Sequence, residues 1–116
     1  MNGTFVYEDY LSLYNDNKIK SLYFKKSQIQ PSSIDLSLSD ECYEIKTSFL
    51  SPDNKVRDKL NKIYSKKISL KTSKIFKKNK TYIVRLNETL KLSNSITGHC
   101  NPKSSTGRLN IFCRTI

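Results

Sequence analysis

The segment TYIVRL, residues 81–86, is the clearest β-strand in the sequence, because branched and aromatic residues fill it. Residues 34–38 alternate apolar and polar side chains, which predicts a half-buried strand. Other strand candidates are residues 22–24, 42–49, 90–92, 96–100 and 109–116, with a short strand and a basic turn within residues 66–80. Short strands separated by polar turns indicate a mainly β domain.

Two segments have helical spacing instead. The first covers residues 7–17, and the second covers residues 53–65, where Val56, Leu60 and Ile63 (or Tyr64) recur on one face opposite charged residues. Ser51 can cap the second helix, and proline is favoured at the position that follows. We expect this helix to pack on the sheet, with partner binding as the alternative. The predicted fold class is therefore mainly β with one or two helices (α+β), in a single domain over residues 1–116.

The chain is strongly basic, with a net charge of +11, and lysine outnumbers arginine by 17 to 4. Such a charge favours an anionic partner, either nucleic acid or nucleotide phosphate. An AT-rich gene also produces many lysines, and lysine lacks the planar fork that binds phosphate at two points. A small basic β domain that binds nucleic acid stays an alternative. Phe76 is the single aromatic residue between residues 66 and 80, so no stacking platform is evident in the sequence.

Several classes of protein are disfavoured. Cys42, Cys100 and Cys113 are odd in number and widely spaced, which argues against a disulfide framework or a zinc finger and predicts buried or half-buried free thiols. We expect no protein-bound metal site. The sequence contains no apolar run of transmembrane length and no secretory signal, so we expect a cytoplasmic protein that does not enter a membrane.

The segment NPKSSTGRL, residues 101–109, has the chemistry of a phosphate-binding loop. It supplies one point charge, one guanidinium fork, three hydroxyl groups, and a glycine that permits close backbone approach or a positive φ. The candidate nucleotide-binding residues are Lys103, Ser104, Ser105, Thr106, Gly107 and Arg108. The spacing is not that of a Walker A loop, and no zinc-deaminase signature is present. His99 is the sole histidine, so no Ser-His-Asp arrangement can be proposed.

The same segment, followed by NIFCR at residues 110–114, resembles the signature of 2'-deoxycytidine 5'-triphosphate (dCTP) deaminases. QIQPSSIDL, residues 28–36, resembles the N-terminal motif of that family. The order and separation of the two motifs are most similar to the long bacterial form, and the resemblance covers nearly the whole chain. It implies a dUTPase-like distorted β-barrel or jelly roll (β-clip), here incomplete. It also implies a homo-oligomer, a trimer or pseudo-trimer, with active sites between units.

The resemblance implies hydrolytic deamination of dCTP to dUTP and ammonia. In this family a glutamate activates the water, magnesium accompanies the triphosphate, and zinc is not used. By position, Ser104 and Arg108 would be catalytic: Ser104 places the water or stabilises charge at the reacting carbon, and Arg108 is a fixed cation beside it. Lys103 and Ser105 would face phosphate. The short family form usually has arginine where Lys103 stands, so a bidentate contact is not expected there.

The family's catalytic glutamate lies downstream of the signature, beyond Ile116. Glu41 and Glu88 do not match its position, so neither is assigned as the general base. We therefore expect a truncated N-terminal domain that binds dCTP but does not deaminate it alone. A separate C-terminal half that supplies the glutamate is an alternative, since the apolar segment 111–116 would form a strand edge in need of a partner.

Overall fold

Two antiparallel sheets and three α-helices form the framework of the protein in a computed structural model, which describes residues 3–47, 49, 55–72 and 74–114. The elements in chain order are α1 Tyr7–Asn15, β1 Ile19–Lys20, a 3-10 turn Lys26–Gln28, β2 Leu38–Ile45, α2 Val56–Ile63, β3 Tyr64–Ser69, β4 Thr81–Leu86, β5 Thr89–Leu90 and α3 Ser104–Arg108. The sheets do not close into a barrel in this part of the chain. The predicted mainly β class is confirmed, with one α-helix more than expected.

The larger sheet has the strand order β3-β2-β4, with β2 in the centre. Tyr43 on β2 pairs with Lys67 on β3 and with Ile83 on β4. The strand predicted at residues 81–86 is confirmed as β4, and the strand predicted within residues 66–80 is β3, which starts at Tyr64. The smaller sheet pairs Ile19 of β1 with Leu90 of β5, and Ile19 is buried.

The core lies between the three-stranded sheet and α2. Tyr43, Ile45 and Leu60 are buried together, and Ile63 and Ile83 pack against them. The prediction that the second helix packs on the sheet through its apolar face is therefore confirmed. The helix ends at Ile63 because Tyr64 adopts extended backbone angles and begins β3. The proposed start at Ser51 and Pro52 lies outside the described residues.

Four predicted strands are wrong or displaced. Residues 22–24 form a turn in which Leu22 is 93% exposed, and residues 96–100 have no strand structure. In the segment 34–38, Ile34 makes a single bridge with Ile29, and the continuous strand starts at Leu38. Of the strand predicted at residues 109–116, residues 109–114 form a turn and irregular chain, and residues 115–116 lie outside the described residues. An apolar segment becomes a strand only where another strand pairs with it. Within the described residues no strand pairs with residues 22–24, 96–100 or 109–114, and in the segment 34–38 only Leu38 pairs with β4.

The cysteines are free thiols, as expected, but Cys100 and Cys113 are exposed rather than buried, and Cys42 is buried. Burial raises the pKa of the Cys42 thiol. Among the described residues, every helix falls short of the length and apolar character that a membrane span requires.

Candidate nucleotide-binding site

Residues 28–35 fold back on themselves in a tight loop. The Asp35 amide donates to the Gln28 carbonyl at 2.8 Å, and the Gln28 side-chain amide donates to the Asp35 carbonyl at 2.9 Å. The Gln30 amide donates to the Ser33 carbonyl at 2.9 Å, which closes the turn. Ile29, which is buried, anchors the loop. The segment that resembles the N-terminal motif of the family is therefore a closed loop with a defined shape.

Glu88 lies beneath this loop and is 7% exposed. Its carboxylate accepts hydrogen bonds from the Ser37 hydroxyl at 2.7 Å, the Ser37 amide at 2.9 Å and the Gln28 side-chain amide at 2.8 Å. Burial alone raises the pKa of Glu88, but the bonds from Ser37 and Gln28 outweigh it, so this pKa lies below its usual value. The adjacent Asn87 side chain donates to the Ser37 hydroxyl and the Leu38 carbonyl, both at 3.0 Å. Glu88 is thus an ionised anchor for the loop.

The predicted nucleotide-binding segment forms a single helical turn, α3. Lys103 precedes its first residue, and the Gly107 amide donates to the Lys103 carbonyl at 3.0 Å. Thr106 is half-buried, whereas Ser104, Ser105, Gly107 and Arg108 are exposed. Gly107 does not have a positive φ, and a Cβ atom there would meet nothing within 4 Å. The predicted loop is therefore a helical turn, and the positive φ expected as one option at Gly107 is wrong.

The two sequence motifs meet at one ion pair. Lys103 Nζ lies 2.8 Å from Asp35 Oδ2, and the Gln30 side-chain amide lies 3.4 Å from the same oxygen. Lys103 was predicted to face phosphate, and here its partner is a carboxylate. Through Asp35, α3 is connected to the loop and so to the buried Glu88.

Three polar side chains of α3, those of Ser104, Ser105 and Arg108, are exposed. Within the described ranges, the side chains of Ser104, Ser105 and Arg108 have no hydrogen-bond or ion-pair partner. Two hydroxyl groups and a guanidinium are thus available to an anionic ligand. No group of three His, Cys, Asp or Glu side chains that could hold a metal ion occurs among the described residues.

A second charged cluster serves the core instead. Glu41 accepts from Arg57 at 2.6 Å and from the Tyr43 hydroxyl at 2.7 Å, and Arg85 lies 3.5 Å away. The bonds from Arg57 and Tyr43 lower the pKa of Glu41 to about 2. Because Arg57 belongs to α2, this cluster ties the helix to the sheet.

The comparisons with known proteins agree with these motifs. The family model that describes the 2'-deoxycytidine 5'-triphosphate deaminase (DCD) N-terminal domain matches residues 1–116. The chain belongs to this family. It is also similar in structure to a 2'-deoxycytidine 5'-triphosphate deaminase from Agrobacterium tumefaciens, with a TM-score of 0.89 and 36% sequence identity. The match covers 95% of this chain and 34% of that enzyme, so the chain spans about a third of its length. A search of curated proteins found no match.

Sequence reasoning missed the residues that hold the dCTP deaminase motif loop, residues 28–35, in place. Glu88 was noted only as a failed candidate for the general base, and Ser37 was assigned as a polar position in a strand. The sequence near Glu88 or near Ser37 could not predict their contact, because the two residues are 51 positions apart. The hydrophilic sequence around Glu88 is typical of an exposed turn. Its carboxylate can be buried only because hydrogen-bond donors from distant parts of the chain satisfy it.

Proposed function

We propose that this chain is the nucleotide-binding N-terminal part of a dCTP deaminase, which hydrolyses dCTP to dUTP and ammonia. The observation that carries the proposal is the contact between Lys103 and Asp35, which brings the two family motifs to one surface. Membership of the family and the similarity to the Agrobacterium deaminase support the same reaction.

The roles proposed for α3 follow from its chemistry. Lys103 and Ser105 contact the phosphates, Ser104 acts at the reacting carbon, and Arg108 is the fixed cation beside it. The exposure of both hydroxyls and of Arg108 supports these roles, because a ligand can reach each of them without breaking a protein contact. Lys103 carries three donors, so it can hold Asp35 and a phosphate oxygen together.

Magnesium would enter with the triphosphate. Mg²⁺ commonly binds through substrate phosphates and one or two carboxylates and keeps several waters. Asp35 is the carboxylate nearest to α3 in the contact network, and Lys103 occupies one of its oxygens. The proposed reaction uses no zinc: its water is activated by a glutamate.

The general base is proposed to come from outside the described residues. Glu41 and Glu88 are held by other partners. Arg57 and Tyr43 bind the Glu41 carboxylate, and Ser37 and Gln28 bind the Glu88 carboxylate. A glutamate from another segment or subunit would complete the site. The exposed apolar residues after α3 support an interface there, since Leu109 is 72% exposed and Phe112 is 90% exposed. A trimer or pseudo-trimer in the cytoplasm is the proposed assembly, and a separate C-terminal half is the alternative source of the glutamate.

Calorimetry with dCTP and magnesium tests the binding role. The 116-residue chain is expected to bind dCTP, and Lys103→Met and Arg108→Gln should each weaken binding by about tenfold or more, as for loss of a charge-assisted hydrogen bond. Lys103→Arg should preserve binding. Lys91→Met removes an exposed lysine elsewhere and is the matched control.

A second assay tests whether the general base comes from outside this chain. Ammonia release from dCTP by this chain alone should stay at background, because a positioned base typically contributes 10²–10⁴-fold to rate. Robust turnover by the chain alone would refute the proposed external glutamate. Equal loss of affinity in Lys91→Met and Lys103→Met would refute the role of α3, because only bulk charge would then matter.

A further inference from the structure

A basic groove of about 350 Å³ lies on the three-stranded sheet, apart from α3. Its floor contains Lys66, Glu44 and Tyr82, which are neighbours across β3, β2 and β4. This is the face opposite α2, because the strand positions that contact α2 alternate with these. Residues 71–72 and 74–77, which follow β3, form the wall of the groove. None of the lining residues belongs to α3 or to the motif loop, so the groove is separate from the proposed dCTP site.

The charge of the groove is almost entirely positive. Residues 66–80 contain seven lysines and no acidic residue. Lys71 pairs with Asp40 at 3.8 Å, and Lys80 pairs with Glu44 at 3.6 Å. In the described part of the chain, Lys74 and Lys77 have no acidic partner, and both line the groove. Unneutralised lysines that share one concave surface favour a ligand with several negative charges.

An aromatic pair stands among these lysines. The rings of Phe76 and Tyr82 have centroids 4.6 Å apart, inclined at 42°. The Lys77 amide donates to the Tyr82 hydroxyl at 3.0 Å, which fixes the wall segment over the sheet. Phe76 remains 48% exposed, so part of its ring is open to a ligand. The sequence did not indicate this arrangement, because Tyr82 lies in the next strand.

We propose that this groove binds single-stranded nucleic acid without sequence preference. Lys74 and Lys77 contact the phosphates, and one base stacks on the open part of the Phe76 ring. A positive groove that tracks the backbone, with an aromatic ring for the bases, is the usual construction of such sites. Duplex is disfavoured, because its bases are already stacked inside the helix and cannot use Phe76. Ile75, beside Lys74, is 91% exposed, so an anionic membrane is the competing partner that the vesicle comparison below must exclude. The concave lining and the open part of the Phe76 ring favour nucleic acid.

Fluorescence anisotropy with labelled oligo(dT) tests the proposal on the full 116-residue chain. Binding should weaken with salt. A plot of the logarithm of the association constant against the logarithm of salt concentration should have a slope near about −1.4 for the two phosphate contacts of Lys74 and Lys77. The double variant Lys74→Ala/Lys77→Ala should reduce that slope by about 1.4. Lys18→Ala/Lys91→Ala removes the same charge beside the smaller sheet and should leave the slope almost unchanged.

Phe76 is tested by two substitutions that keep its bulk. Phe76→Leu should weaken oligo(dT) binding by about fivefold or more, the usual effect of losing one stacked base, whereas Phe76→Tyr should preserve binding. Thermal melting of each variant verifies that the sheet remains folded. Saturating dCTP with magnesium should not displace the oligonucleotide, so the outcome is independent of the proposed deaminase function.

Five results would overturn the proposal. Equal losses in the two lysine double variants would mean that charge acts diffusely. Equal affinity for duplex and single strand, or no effect of Phe76→Leu, would remove the stacking role. Displacement by dCTP would place the oligonucleotide at α3. Tighter binding to phosphatidylserine vesicles than to oligo(dT) would assign the groove to a membrane surface.

Discussion

Lys103 Nζ lies 2.8 Å from Asp35 Oδ2, and this contact joins two segments that are 68 residues apart. The Lys103 side chain is 65% exposed, so water and salt screen the pair. We expect a double-mutant cycle of Asp35→Asn and Lys103→Met to give a coupling free energy below about 1 kcal/mol. Urea unfolding of the four proteins at low and high salt measures this coupling, which should shrink as salt rises.

The weak coupling matters for the proposed binding role. A lysine held by a strong, buried pair would not be free to contact phosphate, whereas a screened pair positions the ammonium and leaves its other donors available. A salt-independent coupling of several kcal/mol would contradict this view and make Lys103 a purely structural residue.

Glu88→Gln should destabilise the protein by about 2 kcal/mol, because the hydrogen bonds that the Ser37 amide and hydroxyl donate to the charged carboxylate are lost or weakened. The effect should depend on pH. The pKa of Glu88 is lower in the folded chain than its ordinary value of 4.5, so its contribution is complete above pH 4.5 and declines as the pH falls below that value. Urea unfolding at pH 7 and at pH 3 should therefore show a larger cost of Glu88→Gln at pH 7.

Glu8→Gln is the matched control for this experiment, since Glu8 is exposed in the first turn of α1. It should change the free energy of unfolding by about 0.5 kcal/mol or less. An equal cost for Glu88→Gln and Glu8→Gln would show that the buried network does not hold the motif loop.

Glu41 provides a second acid-sensitive contact, at the junction of α2 and the sheet. Its pKa falls from 4.5 to about 2 in the folded chain, so it stabilises the fold fully above pH 4.5 and loses that effect between pH 4.5 and 2. We expect Glu41→Gln to cost about 1–2 kcal/mol at pH 7, less than the full shift implies, because its partner Arg57 is half exposed and screened.

The direct measurement is an NMR titration of the Glu41 side-chain carboxyl. Arg57→Lys keeps the charge but loses the two-point contact, so the pKa of Glu41 should rise towards its ordinary value. Lys62→Arg, on the same helix, is the control and should leave this titration unchanged. A Glu41 pKa near 4.5 in the unmodified chain would contradict the ion-paired geometry.

The sequence predicted those elements whose side chains have strong local preferences and a partner in the sheet. β4 matches its prediction residue for residue, and α2 lies within the predicted helix. Residues 22–24 and 109–114 have equally apolar sequences, yet no strand pairs with them in the described part of the chain, so the same local preference produced no strand.

Within the candidate site, local chemistry identified α3 as polar and cationic but could not indicate its contacts. The Lys103–Asp35 pair and the burial of Glu88 both depend on long-range packing, which periodicity does not encode. The family resemblance connected the two motifs, but the order of motifs along a chain does not reveal which atoms meet. The structure adds that connection through Asp35.

Gly107→Ala separates the folding role of this glycine from its binding role. Gly107 is helical, lacks a positive φ, and a Cβ atom would meet nothing within 4 Å. Alanine should therefore stabilise the folded chain by about 0.5–1 kcal/mol, because glycine is the more flexible residue in the unfolded state. If a nucleotide approaches the backbone at Gly107, the added methyl group should nevertheless weaken dCTP binding by about fivefold or more, the effect of about 1 kcal/mol of steric conflict.

Urea unfolding and calorimetry with dCTP and magnesium measure the two effects on the same protein. Gly98→Ala is the control, because its Cβ also meets nothing within 4 Å and it lies outside α3. It should leave dCTP affinity unchanged. A Gly107→Ala variant that is more stable and binds more weakly would assign the glycine to ligand contact. A variant that is less stable with unchanged affinity would mean that the helical turn, and not the nucleotide, requires glycine at this position.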